Sequence, residues 1–278
     1  MIEREEHQRE RKGKRVMDGY EIEKIDEGLW AIDDKMGCSM YLVEGKNKAL
    51  LVDTGVQEGK ILPMLKSLTD KPISLALTHA HIDHMYHADE FEEVYLHEKD
   101  IKAWHGGVGL CMLLGPAMFH VKHKKYRIKK YIPLTDKTVI DLGGVKIKVI
   151  NAFGHTPGSV VFLDEKHKAL FSGDAVGSGS GVWLWLPGCY NTSLYRDSLM
   201  ELSKSLEHYN GYRFLPGHRK QGTGREDMRV MVDDMIHLSQ YMLQGKAESE
   251  NSQRIGPFVV DTYSYGNAVM MQRKSKIK

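Results

Sequence analysis

Short apolar runs and helically spaced apolar stripes follow one another along this chain. Between residues 20 and 53, "GLWAID", "SMYLVEG" and "KALLVDTG" are rich in β-formers and bounded by Gly, Asp and Asn, so they predict strands. Residues 58–68, "EGKILPMLKSL", space their apolar positions as a helix does, with Pro63 inside the stretch. "ISLALTH" reads as a buried strand and "EEVYLHE" as another. Strand, helix and strand in this order predict a βαβ crossover. From residue 138 the strands resume with "TVIDLGG", "VKIKVINAFG", "SVVFLDE" and "KALFSGD". In "DSLMELSKSLEHY", Leu199, Leu202, Leu206 and Tyr209 recur at helical spacing. "YRFLPGH" is a strand running into a turn, and "SYGNAVMMQR" a final strand. Residues 225–243 are helical, with Met228, Met231, Met235 and Leu238 on one face, a stripe that suits a core.

Two stretches depart from this rhythm. Residues 98–132 form an insert: a helix, then the apolar, Gly-rich "HGGVGLCMLLGPAMF", then the basic "HVKHKKYRIKKY". It reads either as a helical subdomain with a solvated basic face or as a lid over a site. In the second reading it brings Lys and Arg near an acidic group. The other departure is an internal echo. "SMYLVEGKNKALLVDTG" (39–55) resembles "SVVFLDEKHKALFSGDA" (159–175), with the Asp residues one position out of register. Such an echo predicts two related halves, each a sheet covered by helices.

Composition narrows the setting. The 278 residues are 41% apolar and 27% charged, with a net charge of +2. That is enough for a sizeable core, and too near balance to point to nucleic acid or an anionic membrane as a partner. Cys38, Cys111 and Cys189 are odd in number and widely spaced, which is neither a disulfide framework nor a zinc knuckle. "MIEREEHQRERKGKR" lacks the apolar segment of a secretory signal, and no stretch is long enough to span a membrane. The expectation is a cytoplasmic protein. It has a charged arm over residues 1–18 and one domain over 19–278, and a homo-oligomer is compatible with both.

Chemistry concentrates at "LTHAHIDHMYH". His79, His81, Asp83 and His84 form H-x-H-x-D-H directly after a strand. In extended backbone, positions i and i+2 point the same way, so His79 and His81 can grip one ion. Asp83 and His84 fall where the chain turns, and can aim at a second point. Imidazole with carboxylate suits zinc, with iron or manganese as alternatives. The remaining ligands must come from elsewhere. His155 in "AFGHTPGS", Asp174 in "LFSGDA" and His218 in "FLPGH" each sit in a tight loop after an apolar run. An Asp between two cations can offer one oxygen to each.

These motifs, with D-T-G (53–55) upstream, resemble those of the metallo-β-lactamase superfamily over residues 20–270. The resemblance implies a four-layer αβ/βα sandwich of the α/β or α+β class, in two related halves, with metals at one edge. It implies two divalent ions, zinc foremost. His79, His81 and His155 would hold one, and Asp83, His84 and His218 the other. Asp174 would bridge them, and Asp53 would order the loops without being a ligand. The other histidines, including His87, His97, His105, His120 and His123, match no ligand motif.

The activity so implied is hydrolysis by a hydroxide shared between two cations, with Asp83 orienting it. Within the family, β-lactamases lack the bridging Asp, and flavodiiron proteins have Glu where this chain has His81. Glyoxalase II enzymes carry a larger C-terminal domain. What remains is a hydrolase of a small-molecule ester, lactone or thioester. The alternatives are a phosphodiesterase, a β-lactamase-type hydrolase, or a non-haem iron oxidoreductase of the same fold. Trp183 and Trp185, two apart after the bridging Asp, would either wall the substrate pocket or pack in the core. The serines of "GSGSG" (177–181) are loop formers.

Overall fold

The computed structural model describes residues 14–103, 106–122, 128–177, 181–222 and 227–278. His105, His123, Ser178 and Ser180 lie outside the described residues, as do residues 1–13 of the expected arm. β1 (Lys14–Met17), β2 (Tyr20–Asp26), β3 (Leu29–Asp33), β4 (Ser39–Glu44) and β5 (Ala49–Val52) form an antiparallel meander. β6 (Ile73–Ala76), β7 (Val94–His97) and β8 (Tyr131–Leu134) add to it in parallel, completing an eight-stranded sheet in sequence order. Residues 14–17, which the charge run placed in the arm, are thus an edge strand. Charged side chains suit that position, because they discourage further pairing.

The parallel join from β5 to β6 needs a crossover, and α1 (Leu62–Lys66) lies within it. This helix is shorter than its apolar spacing predicts. Pro63 sits in its first turn, where a missing N–H breaks no intrahelical bond. The crossovers after β6 and β7 carry α2 (Ile82–Met85), α3 (Glu98–Ala103) and α4 (Gly107–Met118).

The second half repeats the plan. β9 (Val139–Asp141), β10 (Lys146–Asn151), β11 (Val160–Asp164) and β12 (Ala169–Gly173) are antiparallel, and β14 (Arg213–Pro216) pairs parallel to β12. The echoed segments are the hairpins β4–β5 and β11–β12, and each hairpin's second strand takes a parallel neighbour. A small third sheet orders β13 (Val182–Trp183), β17 (Ala268–Gln272), β16 (Phe258–Tyr265) and β15 (Asn251–Ile255). The expected final strand is therefore split by the hairpin turn between Tyr265 and Ala268. β15 reads NSQRI and is largely exposed, so it offers no apolar alternation.

Side-chain alternation sets the layers. Leu29, Ala31, Tyr41 and Val43 face Ile147, Val149, Phe162 and Phe171 across the two large sheets. Their neighbours Ile32, Met40, Leu42 and Leu51 turn outward onto Met64, Leu65, Ile82 and Met85. On the far side, Val161, Leu163 and Leu170 pack against Leu199, Leu202, Met235 and Leu238 of α5 (Thr192–Ser205) and α6 (Met228–Leu243). The order is helix, sheet, sheet, helix: a four-layer αβ/βα sandwich. The methionine stripe of α6 is core, as its spacing predicts. α5 starts upstream of its apolar repeat, because the Asn191 side chain caps it by accepting from Leu194 N–H.

Candidate metal centre

The motif residues meet where strands of both large sheets end. His79 and His81 follow β6, and Asp83 and His84 lie on α2. His155 follows β10, Asp174 follows β12 and His218 follows β14. The structure gathers them into two groups, His79–His81–His155 and Asp83–His84–Asp174–His218. In each group the ligand-capable atoms all lie within 4.8 Å of one another. Asp174 stands between the groups: its Oδ2 is 3.7 Å from His155 Nε2 and 3.5 Å from His218 Nε2, and its Oδ1 is 3.5 Å from His84 Nε2.

Hydrogen bonds on the outer side of each ring decide which nitrogen faces inward. His155 Nδ1–H donates to the Trp183 carbonyl (2.9 Å), and His218 Nδ1–H to the Gly37 carbonyl (3.0 Å). His84 Nδ1–H donates to Asp53 Oδ2 (2.8 Å), and His79 Nδ1 lies 3.1 Å from Thr78 Oγ1. Each of these four rings therefore turns Nε2 toward the others. His81 is reversed, with Nδ1 2.8 Å from His155 Nε2. The Nε2 of His79 is buried without a hydrogen-bond partner, whereas that of His84 has the Asp83 and Asp174 carboxylates at 3.5 Å. A buried orphan nitrogen is costly. One aimed into a nest of imidazoles and carboxylates fits a divalent cation that takes neutral nitrogen and carboxylate oxygen. The residues present are positioned to bind metal ions.

Protonation follows the same division. Burial pushes His79 well below its usual value, His81 down to about 3, and His155 down as well, so these three present lone pairs. For His84 and His218 burial also acts downward, but Asp83 and Asp174 outweigh it and both rings are raised. Burial would raise Asp83 and Asp174, yet His84 and His218 beside them hold both low. Without a cation, this second group balances its own charges. A cation entering it would displace ring protons.

Asp53 is buried at a positive φ of 60°. One carboxylate accepts Thr78 N–H and Thr78 O–H at 2.8 Å each, together with the His84 ring. It therefore ties the end of β5 to the histidine loop and to α2. Three further supports hold the ligand loops, two of which sequence reading missed. Asp100 on α3 is fully buried and accepts from Ala80 N–H (2.9 Å), Thr156 O–H (2.8 Å) and Gly158 N–H (2.6 Å), clamping the His81 and His155 loops together. Arg219 holds the His218 loop by a two-pronged bond to buried Asp33 (3.0 and 2.7 Å) and by another to Glu23 (2.9 Å). Gly217 leaves no room for a side chain: a Cβ there would lie 2.5 Å from Asp174 Oδ1 and 2.6 Å from His84 Cε1. P-G-H was visible as a motif, whereas Asp100 and Arg219 sit in ordinary charged runs that carry no signal.

His87 is buried, but its ring bonds Glu90 (2.8 Å) and the Gln57 carbonyl (2.8 Å), away from the cluster. A cavity of about 440 Å³ opens over the site. His81, Asp83, His155, Asp174 and His218 line it at one end, and Trp183 and Trp185 form part of a wall. The insert reaches the cavity through the apolar face of α4. Among the described residues no Lys or Arg lines it; residues 123–127 of the insert's basic run lie outside the described residues. No helix among the described residues is long and apolar enough to cross a membrane.

Fold and site together define a metallo-hydrolase architecture. A family model described as the metallo-beta-lactamase superfamily matches residues 33–218, and the chain belongs to that superfamily. It is 28% identical to the acyl-coenzyme A thioesterase MBLAC2 of Gallus gallus over 201 residues, which span 65% of this chain and 72% of the relative. It is 24% identical to the Homo sapiens acyl-coenzyme A thioesterase MBLAC2 over 231 residues, 73% of this chain and 82% of the relative. A metallo-beta-lactamase from Pontibacter korlensis superposes with a TM-score of 0.55 at 21% identity, covering 80% of this chain and 99% of its own. A metallo-beta-lactamase family protein from Thermus thermophilus gives 0.57 at 19%, covering 80% and 82%. These structures share the fold. The superfamily and the thioesterase relatives support hydrolysis as the general activity.

Proposed function

We propose that this chain is a binuclear metal-dependent hydrolase that cleaves a small-molecule ester, lactone or thioester, with the thioester favoured. The observation that carries the reading is the gathering of five imidazoles and two carboxylates into two groups that Asp174 joins, with His79 Nε2 buried among them without a hydrogen-bond partner. The acyl-coenzyme A thioesterase relatives favour sulfur as the leaving atom. His79, His81 and His155 would hold one ion, Asp83, His84 and His218 the other, and Asp174 would bridge them. Bound there, zinc or a similar ion would polarise the substrate carbonyl and bring the ionisation of water near neutral pH. The chain's own part is to orient and to move a proton. Asp83 lines the cavity with Oδ2 3.4 Å from His218 Nε2, placed to take a proton from the attacking water. Water oxygen bonds to the acyl carbon, the carbon–sulfur bond breaks, and that proton passes to the leaving sulfur.

The test joins metal analysis of protein purified without added metal to a turnover screen. The screen covers esters, lactones, thioesters, phosphodiesters and β-lactams, with zinc, manganese and iron each supplied. Two ions per chain and thioester turnover are expected, with Asp83→Ala slower by about 10²–10⁴-fold. A single redox-active iron with oxygen uptake, or full turnover by Asp83→Ala, refutes the reading.

A further inference from the structure

Resting on the hydrolase reading, we propose that the cavity beside the ligand cluster binds the unbranched aliphatic chain of an acyl substrate, with α4 of the insert as one wall. Leu110, Leu114 and Met118 stand four residues apart on α4 and all line the cavity. That spacing makes one stripe along the helix, about 12 Å long. The three are 43%, 57% and 50% exposed, an unusual concentration of bare apolar surface. The opposite face of the same helix is docked. Val108 and Met112 are buried, and Gly115 lies so close to α2 that a Cβ would come within 2.5 Å of Ile82 Cγ2. Ile82 neighbours Asp83, so α4 rests on the helix that carries two of the candidate ligands. Its stripe is therefore held in place beside the reacting end.

Another part of the lining is aromatic. Trp185, only 6% exposed, lies 6.0 Å from the Trp183 ring and 6.2 Å from Phe258, centroid to centroid. The result is a slot lined by aliphatic side chains, by aromatic ones, and by the imidazoles and carboxylates of the cluster. Outside that cluster, no Asp, Glu, Lys or Arg among the described residues lines it. A phosphate would find no counter-charge along the slot, whereas methylenes would cover the stripe. The acyl carbonyl belongs at the cluster and the tail along α4, because the slot is continuous with the site.

Thioesters of N-acetylcysteamine, from acetyl through butyryl and octanoyl to dodecanoyl, vary the acyl chain alone. On the zinc-supplied protein, kcat/KM should rise by about fourfold for each methylene that enters the slot, then level off. In Leu110→Gln/Leu114→Gln the ratio of dodecanoyl to acetyl kcat/KM should fall at least tenfold. Both positions are partly solvent-exposed, so the fold should survive, as circular dichroism would show. A second readout needs no turnover. Dodecanoate added to chelator-treated protein should shift the tryptophan emission, and Trp183→Phe/Trp185→Phe should abolish the shift. Equal turnover of acetyl and dodecanoyl thioesters with no emission shift overturns the slot and leaves the hydrolase reading intact. An emission shift without turnover of any thioester does the reverse. A dimer on sedimentation that Leu113→Gln dissociates and dodecanoate does not would also overturn the proposal, since a second copy would then own the α4 face.

Discussion

Asp100 offers a direct test of how the site is held, because its effect on stability should depend on pH with a defined sign. Its carboxylate is fully buried and accepts three hydrogen bonds from the two ligand loops. Burial outweighs those bonds and pushes its pKa from 3.8 up to about 6. The folded chain therefore holds this proton more tightly than the unfolded chain. The resulting stabilisation is complete below the unfolded pKa and is lost as the pH rises through the folded one. Over the whole range the term is worth about 3 kcal/mol, of which about 1.4 kcal/mol falls between pH 5 and pH 7.5. Asp100→Asn has no such term. Its amide can keep the two bonds made by one oxygen but sets N–H against the Gly158 N–H, at a fixed cost of about 1–3 kcal/mol. Urea unfolding of both chelator-treated proteins at the two pH values measures the gap. It should move in the variant's favour by about 1.4 kcal/mol on going to pH 7.5. A gap that stays constant within about 0.3 kcal/mol would mean that Asp100 is not strained by burial, and would refute the reasoning.

Three other changes probe the same framework. Gly217→Ala should lower metal affinity by about 10–100-fold in a chelator competition, because its methyl group intrudes on Asp174 and His84; unchanged affinity would show that the loop can yield. Arg219→Met takes the guanidinium from the buried Asp33 carboxylate, which keeps the Ser39 hydroxyl and Lys220, and should cost about 1–3 kcal/mol in urea unfolding, whereas Lys220→Met, on a more exposed side chain 3.6 Å from the same carboxylate, should cost under about 1 kcal/mol. Trp183→Ala should raise KM for an apolar substrate more than it lowers kcat. Equal changes in both would move Trp183 from the pocket wall to the support of His155, whose ring nitrogen its carbonyl accepts.

Much of the site was legible because its residues are clustered or flagged by their turns. His79, His81, Asp83 and His84 are close neighbours in sequence, and Gly and Pro mark the loops of His155 and His218. The pieces that sequence reading missed have a common cause. Asp100 and Arg219 look like any surface charge in runs such as "HEKDIK" and "HRKQ". Only burial distinguishes them, and burial is decided by what packs opposite. The insert's contribution was hidden for a related reason: composition does not tell which face of α4 turns to the cavity, and the structure puts Leu110, Leu114 and Met118 there.

By itself, the order of apolar and polar residues determined most strands of the two large sheets, the two principal covering helices, the paired hairpins of the two halves and the identity of the seven ligand candidates. These depend on side-chain periodicity and local turn chemistry, which a linear string carries in full. The three-dimensional fold alone decided which nitrogen of each imidazole faces inward, which carboxylates hold the loops, and what kind of surface lies beside the cluster. Those features arise from contacts between segments tens to nearly two hundred residues apart, such as Arg219 with Asp33 and Asp100 with Thr156. Their strength comes from exclusion of water, which appears only once the layers have closed.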